Sequence, residues 1–428
     1  MKVALTAALA TWVVFLFSSL VGATEPSPVK ATGIVSEEFG IDLSNWDQAP
    51  NPIISFTQTE KIFPTTIMKK GTKFQPLKAS PRQLDIGKIS VSDPVTNRPI
   101  TIEALLTRIS NEGLMVLRNG LIVHESYRNG LDRDTRHINM STTKSLIGML
   151  AGIAIAQGLL DPGAPIGKYV PDVAGLKAWD DITVQHVLDM RSGMRYNEDY
   201  DDPNSDVTRQ ERASGWRPLQ KGDVDGALPW VTANMTTKEH EAGSIFNYNS
   251  SLTNVLGRAI ETVFDKDLAT IFEEKIWQKI GTEHDAGFGR DRKGFYLAEG
   301  TMSMTLRDLA RVGNLVLAKG RNSFGEQVVP AAFFDDLVEP KKSLKAAFAK
   351  SGFSGLFPGG NYRNKFWIRS ADKKQMFMMG IHGQSCYIDY ENKLVIVTFG
   401  AYPLAKDLIM IESIKTMWDG VTKAINKG

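Results

Sequence analysis

The chain has 428 residues, and its 50 Lys and Arg against 48 Asp and Glu leave a formal net charge of +2. Its composition, 42% apolar and 23% charged residues, is that of an ordinary folded protein and excludes a disordered chain. The near-neutral charge, with no basic run, argues against nucleic-acid binding through a cationic surface. The single cysteine, Cys386, permits neither an intramolecular disulfide nor a metal site built from several cysteines.

The N-terminal segment is predicted to be a secretory signal peptide that occupies residues 1–23. A basic start, Met1-Lys2, precedes an apolar stretch from Val3 to Leu20, and the small residues up to Ala23 are typical of a cleavage site. An uncleaved membrane anchor is the alternative, because the apolar stretch approaches the roughly 20 residues that span a bilayer. We expect cleavage, and therefore an exported chain, periplasmic or secreted, with no stable membrane span.

The next elements are predicted from composition and apolar spacing. Residues 24–95 are rich in Pro, Ser, Thr and Lys and indicate an irregular N-terminal extension. The apolar runs at 114–117 and 121–123 flank Asn119-Gly120, a dipeptide that predicts a tight β-hairpin. From Ser141 to Gln157 the apolar residues are spaced for a helix.

The remaining elements predict how the chain is divided. Residues 161–294 are predicted to form a mainly helical domain, interrupted by a polar loop from Tyr196 to Pro218. A helix is expected from Thr305 to Lys319, then strands near 386–388 and 393–399, then an amphipathic helix. This order predicts an α/β (α+β) fold class, in which residues 96–160 and 295–428 form one α/β domain with the helical domain inserted.

Several familiar hydrolase motifs are missing from the sequence. There is no Gly-x-Ser-x-Gly nucleophile elbow, and His124-Glu125 is not followed by a second His at the zinc-protease spacing. The acidic loop from Glu198 to Asp206 lacks the central Gly and terminal Glu of a calcium loop, so it is interpreted as a solvated loop. We expect neither a metal nor an organic cofactor.

The pattern Ser-x-x-Lys occurs at Ser27, Ser141 and Ser370, and only Ser141 opens an apolar helix. Residues at i and i+3 share a helix face, so the Lys144 amine can reach the Ser141 hydroxyl. Burial and the helix dipole both destabilise a lysine cation there, so the pKa of Lys144 can fall enough to accept the serine proton. A capping serine beside a solvated lysine is the alternative.

Tyr248 lies in the segment 246–251, directly ahead of a helical run, where its side chain is predicted to point into a cleft. We expect a nearby cationic lysine to lower the pKa of the phenol, which would make it a usable general base and acid. A tyrosine with its ring in the core and its hydroxyl satisfied is the alternative.

On these residues the chain resembles the serine hydrolases of the β-lactamase and penicillin-binding-protein superfamily. It looks most like the class C-like branch that includes the 6-aminohexanoate-dimer hydrolases and related esterases. The resemblance runs from about residue 46 to 399 and is carried by the ordered segments 137–145, 188–200, 246–250, 306–313 and 380–384. It implies a β-lactamase-like fold, an antiparallel sheet flanked by helices with an inserted, mainly helical domain. It also implies that Ser141 is the nucleophile, Lys144 its activator and Tyr248 the proton shuttle.

This sequence departs from the family pattern in two elements. The Tyr-x-Asn element places Ser250 where the family has Asn, and the Lys-Thr-Gly element has no match before the final hairpin. In lactamases that cationic element helps to hold the substrate carboxylate. Its absence argues against efficient β-lactam turnover and favours a linear amide or ester.

The segment nearest to the missing element supplies further candidates. His382 is expected either to donate a hydrogen bond to the substrate or to be a structural histidine. The oxyanion hole is expected to pair the N–H of Ser141 with a backbone N–H near Gly383 or Gln384.

The loop from Tyr196 to Trp216 is expected either to close over the cleft, bringing Tyr200 and Trp216 to the substrate, or to be a solvated interdomain loop. Cys386 is expected to be a small buried residue.

The predicted function is a serine hydrolase that cleaves a small amide or ester through an acyl-enzyme on Ser141, like the 6-aminohexanoate-oligomer hydrolases. The alternatives within the fold are a carboxylesterase, a β-lactamase or a D-Ala peptide hydrolase. The alternative of another class is a catalytically silent peptide-binding module. The expected partner is a small-molecule amide or ester and not a nucleic acid, and the oligomeric state is left open.

Overall fold

The computed structural model describes residues 30–427, so the predicted signal peptide lies outside the described residues. The strands are β1 (Ile34–Ser36), β2 (Ile41–Asp42), β3 (Thr65–Met68), β4 (Ser90–Ser92), β5 (Pro99–Thr101), β6 (Asn111–Arg118), β7 (Leu121–Tyr127), β8 (His137–Ile138), β9 (Ala286–Gly289), β10 (Met302–Met304), β11 (Asn361–Arg363), β12 (Phe366–Ser370), β13 (Gln375–Met379), β14 (Ser385–Asp389) and β15 (Leu394–Gly400). The α-helices are α1 (Pro52–Ser55), α2 (Ile102–Arg108), α3 (Thr143–Ala156), α4 (Val184–Leu188), α5 (Asp206–Ser214), α6 (Ala227–Asn234), α7 (Ser251–Phe264), α8 (Leu268–Lys275), α9 (Leu306–Leu317), α10 (Ala331–Val338), α11 (Lys342–Ala349) and α12 (Leu408–Asn426). Between residues 30 and 427, no helix is both long and apolar enough to span a bilayer.

A seven-stranded antiparallel sheet, in the order β11-β12-β13-β14-β15-β6-β7, joins early and late parts of the chain. The predicted hairpin is confirmed: β6 pairs with β7, and Asn119 and Gly120 have φ values of 52° and 76°, as a two-residue turn requires. Strand β15 pairs with the other side of β6 along its length. The early hairpin and the late strands therefore share one sheet.

Neighbouring residues of β14 show how both faces of this sheet are covered. Cys386 is fully buried and faces α9, where a Cβ added to Gly313 would lie only 2.9 Å from its Sγ. Tyr387 faces the opposite side and stacks on Trp418 of α12, with ring centroids 4.8 Å apart. Because successive side chains of a strand point to opposite faces, the sheet lies between two helices, as predicted for an antiparallel sheet flanked by helices.

The N-terminal region, predicted as irregular, contributes a strand to a second sheet. Strand β3 pairs with β9 at the edge of a four-stranded sheet, in the order β3-β9-β10-β8. Trp46 is fully buried and packs against Phe56, Phe63 and Trp216, with ring centroids 5.7 Å apart in each pair. Part of the predicted extension is therefore built into the fold.

The segment from Tyr196 to Pro218, predicted as a polar loop, contains helix α5. The Ser205 hydroxyl caps this helix by accepting a hydrogen bond from the N–H of Thr208, and Gly215 ends it with a φ of 94°. The helix buries polar residues such as Gln210 and Arg212. Since it lacks an apolar stripe, the apolar spacing of the sequence did not predict it.

Candidate active site

Ser141 lies in a 3₁₀ turn, Met140–Thr142, that leads directly into α3. The residue before it, Met140, has a left-handed φ of 48°, which is uncommon for a residue other than glycine. Gly380, after β13, packs against this turn: an added Cβ would lie 2.7 Å from the Cβ of Met140 and 3.0 Å from the N of Ser141. A glycine at 380 therefore lets the end of the sheet reach the turn that carries the serine.

The Lys144 amine donates a hydrogen bond to Ser141 Oγ at 2.6 Å and to the backbone carbonyl of Glu299 at 2.7 Å. The lysine is almost completely buried, with 1% of its surface exposed. Burial lowers the pKa of Lys144 to about 8, although the carboxylates of Glu198 and Glu299 act in the opposite direction. About a tenth of the amine is therefore neutral at pH 7 and able to accept the serine proton.

Tyr248 completes the group that the sequence predicted. Its ring is buried and stacks on Trp367 at 5.2 Å, and its phenol interacts with the Ser141 side chain. The predicted lowering of its pKa is wrong: burial and the Glu198 carboxylate raise the pKa of Tyr248, and the interaction with Ser141 only partly offsets them. Tyr248 is thus a neutral phenol that can pass a proton on, and the role of Lys144 as the base stays a prediction.

A cavity of about 410 Å³ opens beside Tyr248, Gly380 and Ile381. Most of its other lining side chains are aromatic or aliphatic: Tyr196, Phe353, Leu356, Phe357, Trp367, Met379, Met410 and Ile411. Its charged lining residues are Glu198, Asp199 and Lys406. In the described part of the chain, the backbone N–H groups of Ser141 and Ile381 have no hydrogen-bond acceptor, so both remain available to a substrate oxygen.

Glu198 is a functional candidate that was not singled out in the sequence, where it belongs to the loop interpreted as solvated. It lines the cavity and accepts hydrogen bonds from the Tyr200 hydroxyl at 2.8 Å, the Ser250 N–H at 2.9 Å and the Ser250 hydroxyl at 2.7 Å. Its neighbours Asp199 and Asp201 are exposed, so the interpretation of a solvated loop describes them but not Glu198. Tyr200 also lines the cavity, whereas Ser250 is buried behind Glu198.

The predicted residues of segment 382–384 form contacts within the fold and do not line the cavity. His382 is buried, and its Nδ1 lies 2.7 Å from the carbonyl oxygen of Tyr402. The Gln384 side chain donates to the carbonyl of Gly400 at 2.6 Å and accepts from its N–H at 3.1 Å. Gly383 packs near the same Gly400. Their contribution to substrate or oxyanion binding stays a prediction.

Trp216 is buried behind Lys144 and does not line the cavity. Its indole N–H donates to Glu299 Oε1 at 3.2 Å, and the indole N–H of Trp46 donates to the Trp216 carbonyl at 2.8 Å. Burial raises the pKa of Glu299 to about 7, partly offset by the charge of Lys144. A continuous series of contacts therefore connects the N-terminal region with Lys144.

Across residues 30–427, no group of three or more His, Cys, Asp or Glu residues is arranged to hold a metal ion. The groups around Ser141 are a hydroxyl, a buried amine, a phenol and backbone N–H groups, a set that can perform acyl transfer.

Comparison with known proteins gives matches at the level of sequence and of structure. The family model described as Beta-lactamase matches residues 101–400. The 6-aminohexanoate-dimer hydrolase of Paenarthrobacter ureafaciens is 30% identical over 380 residues, which cover 89% of this chain and 92% of that protein.

Solved structures agree with these sequence matches. A Bacillus anthracis protein, provisionally named a 6-aminohexanoate-dimer hydrolase, superposes with a TM-score of 0.82 at 22% identity, covering 92% of this chain and 98% of the other. A D-stereospecific amidohydrolase from a Streptomyces species superposes with a TM-score of 0.54 at 17% identity, covering 73% and 96%. The resemblance and the fold class predicted from the sequence are confirmed.

Proposed function

We propose that this chain, which belongs to the beta-lactamase family and is a serine hydrolase of that superfamily, cleaves small linear amides of the 6-aminohexanoate-oligomer type. The observation that carries the proposal is the buried Lys144 amine 2.6 Å from Ser141 Oγ. The substrate class is supported by the relative that is 30% identical and by the largely apolar cavity with charged groups in its lining. The missing Lys-Thr-Gly element further favours a linear amide over a β-lactam.

Acylation begins with the transfer of the Ser141 proton to the neutral Lys144 amine. Ser141 Oγ then attacks the substrate carbonyl carbon, and the carbonyl oxygen becomes an oxyanion. We assign the oxyanion hole to the N–H groups of Ser141 and Ile381, because both are free and Gly380 brings their segments together. The predicted second donor near Gly383 or Gln384 is replaced by Ile381 in this assignment.

Departure of the leaving group requires a proton on its nitrogen. The Tyr248 phenol donates its proton to that nitrogen as the C–N bond breaks, and it regains a proton from Lys144. In the second half of the reaction a water molecule loses a proton to the same residues and attacks the acyl carbon. Breaking of the ester bond returns the proton to Ser141 Oγ and releases the acid.

The proposal is tested by covalent labelling with a fluorophosphonate, located by peptide mass, and by hydrolysis assays. We expect the label on Ser141 and loss of hydrolysis in Ser141→Ala. The matched control is Ser370→Ala, which alters a second Ser-x-x-Lys sequence outside the site. Full activity in Ser141→Ala would overturn the mechanism.

Substrate comparison tests the proposed class separately from the mechanism. Rates on the linear 6-aminohexanoate dimer are measured beside short p-nitrophenyl esters and D-Ala-terminated peptides. We expect the dimer to be hydrolysed. If Ser141 were labelled but only esters were hydrolysed, the serine mechanism would stand and the substrate class would be esters instead of amides.

We also propose that the enzyme is exported. The support is the sequence of residues 1–23, with its basic start, apolar stretch and small residues before residue 24. The mass of the mature N-terminus from an exporting host tests this, with cleavage after Ala23 expected.

A further inference from the structure

Lys406 is a cation in the cavity that the proposed chemistry does not use. It lines the cavity together with Ala405, and it is exposed. Its Nζ lies 5.8 Å from the centroid of the Phe353 ring, a cation–π contact. In the part of the chain that the structure describes, it has no carboxylate partner, so its charge is available to a ligand.

The loop that carries Lys406 is fixed to the segment that follows β13. The N–H of Tyr402 donates to the carbonyl of His382 at 3.1 Å, and the N–H of His382 donates to the carbonyl of Ala405 at 3.0 Å. Directly after Lys406, the Asp407 carboxylate caps α12 by accepting from the N–H of Met410 at 2.9 Å. The backbone at Lys406 is therefore held in place relative to Ile381, next to the nucleophile turn.

The spacing between Lys406 and Tyr248 can be compared with the length of a substrate. Both residues contact the Phe353 ring, whose centroid lies 6.0 Å from that of Tyr248 and 5.8 Å from Lys406 Nζ, so the Tyr248 centroid and the amine are at most about 12 Å apart. Six single bonds, the number between the nitrogen and the carboxylate carbon of 6-aminohexanoate, extend over about 7 Å. The length of this leaving group is thus comparable with the spacing of the two residues, so a leaving group whose nitrogen lies at Tyr248 can extend its carboxylate along the Phe353 ring towards the Lys406 amine.

The other charged groups of the cavity favour the same orientation. Glu198 and Asp199 line it as carboxylates, so a substrate carboxylate placed beside them would be repelled. At Lys406 it would form an ion pair instead.

We propose that Lys406 binds the terminal carboxylate of the leaving group and is a specificity-determining residue for amides whose amine half ends in a carboxylate. The proposal rests on the proposed amide hydrolysis, which supplies the leaving group. Lys406, in the loop before α12, would then supply a cation like the one that the missing Lys-Thr-Gly element provides in lactamases.

The test compares two amides that differ only in the carboxylate: the linear 6-aminohexanoate dimer and the N-pentyl amide of 6-aminohexanoic acid. We expect the wild type to favour the dimer in kcat/KM by about tenfold, the usual size of a hydrogen bond to a charged group. Lys406→Met should remove this preference through KM, with little change in kcat, and Lys406→Arg should keep it. Lys423→Met, which changes an exposed lysine of α12 that does not line the cavity, is the matched control.

Two outcomes would overturn the assignment. One is a preference for the dimer that survives in Lys406→Met. The other is an equal loss on both amides, which would indicate a general effect on the site and not recognition of a carboxylate.

A second measurement separates this proposal from the proposed function. Protection of Ser141 against fluorophosphonate labelling is measured with 6-aminohexanoate and with 6-aminohexanamide, which lacks the charge. We expect 6-aminohexanoate to protect the wild type more strongly, and Lys406→Met to abolish the difference. This result would support the carboxylate site even if no amide were hydrolysed, whereas equal protection in the wild type would overturn it.

Discussion

The basicity of Lys144 is set by opposing effects on one side chain. Burial lowers its pKa to about 8, and the carboxylates of Glu198 and Glu299 limit that decrease. In the proposed mechanism the neutral amine accepts the Ser141 proton, so the rate should follow the deprotonated fraction of Lys144. The buried Tyr248 phenol, whose pKa is raised, stays protonated over the same range.

We therefore expect kcat/KM on a substrate without ionisable groups to rise with pH along one ionisation near pH 8 and then to level off. Because Glu299 raises the pKa of Lys144, Glu299→Gln should move this rise to lower pH. The backbone carbonyl of Glu299, which binds Lys144, is unaffected by the substitution. A pH profile of each variant provides the measurement.

The matched control for this prediction is Glu261→Gln. Burial also raises the pKa of Glu261 to about 7, but this residue is not among the groups that act on Lys144. Its substitution should leave the rise of kcat/KM at the same pH as in the wild type. A rise that stays unchanged in Glu299→Gln, or moves to higher pH, would contradict the assignment of Lys144 as the base.

The residues of the site differ in how far the sequence could predict them. Ser141 and Lys144 lie one helical turn apart, so local spacing alone brings them together. Glu198 and Lys406 reach the cavity from separate loops, and each sits among similar charged residues with no local pattern. The pKa of Tyr248 depends on burial by distant segments, and for that reason its direction was predicted wrongly.

At the scale of elements, the turn between β11 and β12 buries an unpaired lysine. Lys365 is 1% exposed, and its Nζ has no hydrogen-bond partner in the part of the chain described. Its backbone is held by Leu188 and by the Ser145 hydroxyl, which donates to the Lys365 carbonyl at 2.6 Å. Burial, together with the charge of Lys144, lowers the pKa of Lys365 well below 10.5.

We expect Lys365→Met to raise the free energy of unfolding by about 1–3 kcal/mol, the usual cost of burying an unsatisfied polar group. The folded-state pKa is lowered, so the unfolded chain binds the proton more tightly. The cost of burying the Lys365 cation is therefore greatest at low pH, and it disappears when the pH rises above the unfolded-state pKa of 10.5. Urea unfolding at several pH values measures the gain, which should shrink as the pH rises.

Lys393→Met is the control for Lys365→Met, because both lysines have a left-handed backbone, with φ values of 50° and 67°, but Lys393 is exposed. It should change stability by no more than about 0.5 kcal/mol. A Lys365 variant that is less stable than the wild type would show that the amine makes a favourable contact.

The elements were predictable where their signals are local. The Asn119-Gly120 turn and the Thr305 cap of α9 are fixed by neighbouring residues, and both were predicted correctly. Helix α5 packs polar side chains inside the fold, so its position depends on hydrogen-bond partners from elsewhere. The Tyr196 hydroxyl, for example, donates to Gln210 at 2.6 Å.

At the scale of the whole molecule, the N-terminal region packs against residues that hold Lys144 in place. The Trp46 ring packs against that of Trp216, and its indole N–H donates a hydrogen bond to the Trp216 carbonyl. The indole N–H of Trp216 donates to the Glu299 carboxylate, and the Glu299 backbone carbonyl accepts from Lys144. A fully buried tryptophan thus connects a region predicted as an irregular extension to Lys144, the proposed base. The family resemblance predicted the sheet and helices, but such long-range support has no motif of its own.

We expect Trp46→Ala to destabilise the protein by about 3–5 kcal/mol, through the cavity left by a buried aromatic side chain. It should also lower kcat, because Trp216 and Glu299 lose their support. Phe39→Ala, in the same region but 61% exposed, should change the free energy of unfolding by no more than about 0.5 kcal/mol. Urea unfolding and ester hydrolysis measure both effects, and equal stability of the two variants would refute this role.

The pairing of β15 with β6 also determines when the large sheet can be completed during synthesis. More than half of the chain separates the two strands, so the β6–β7 hairpin leaves the ribosome long before β15 has been made. Until then the apolar strand β6 has an unpaired edge, which is a template for pairing with other chains. The topology that unites the early and late segments therefore exposes the nascent chain to aggregation for most of its translation.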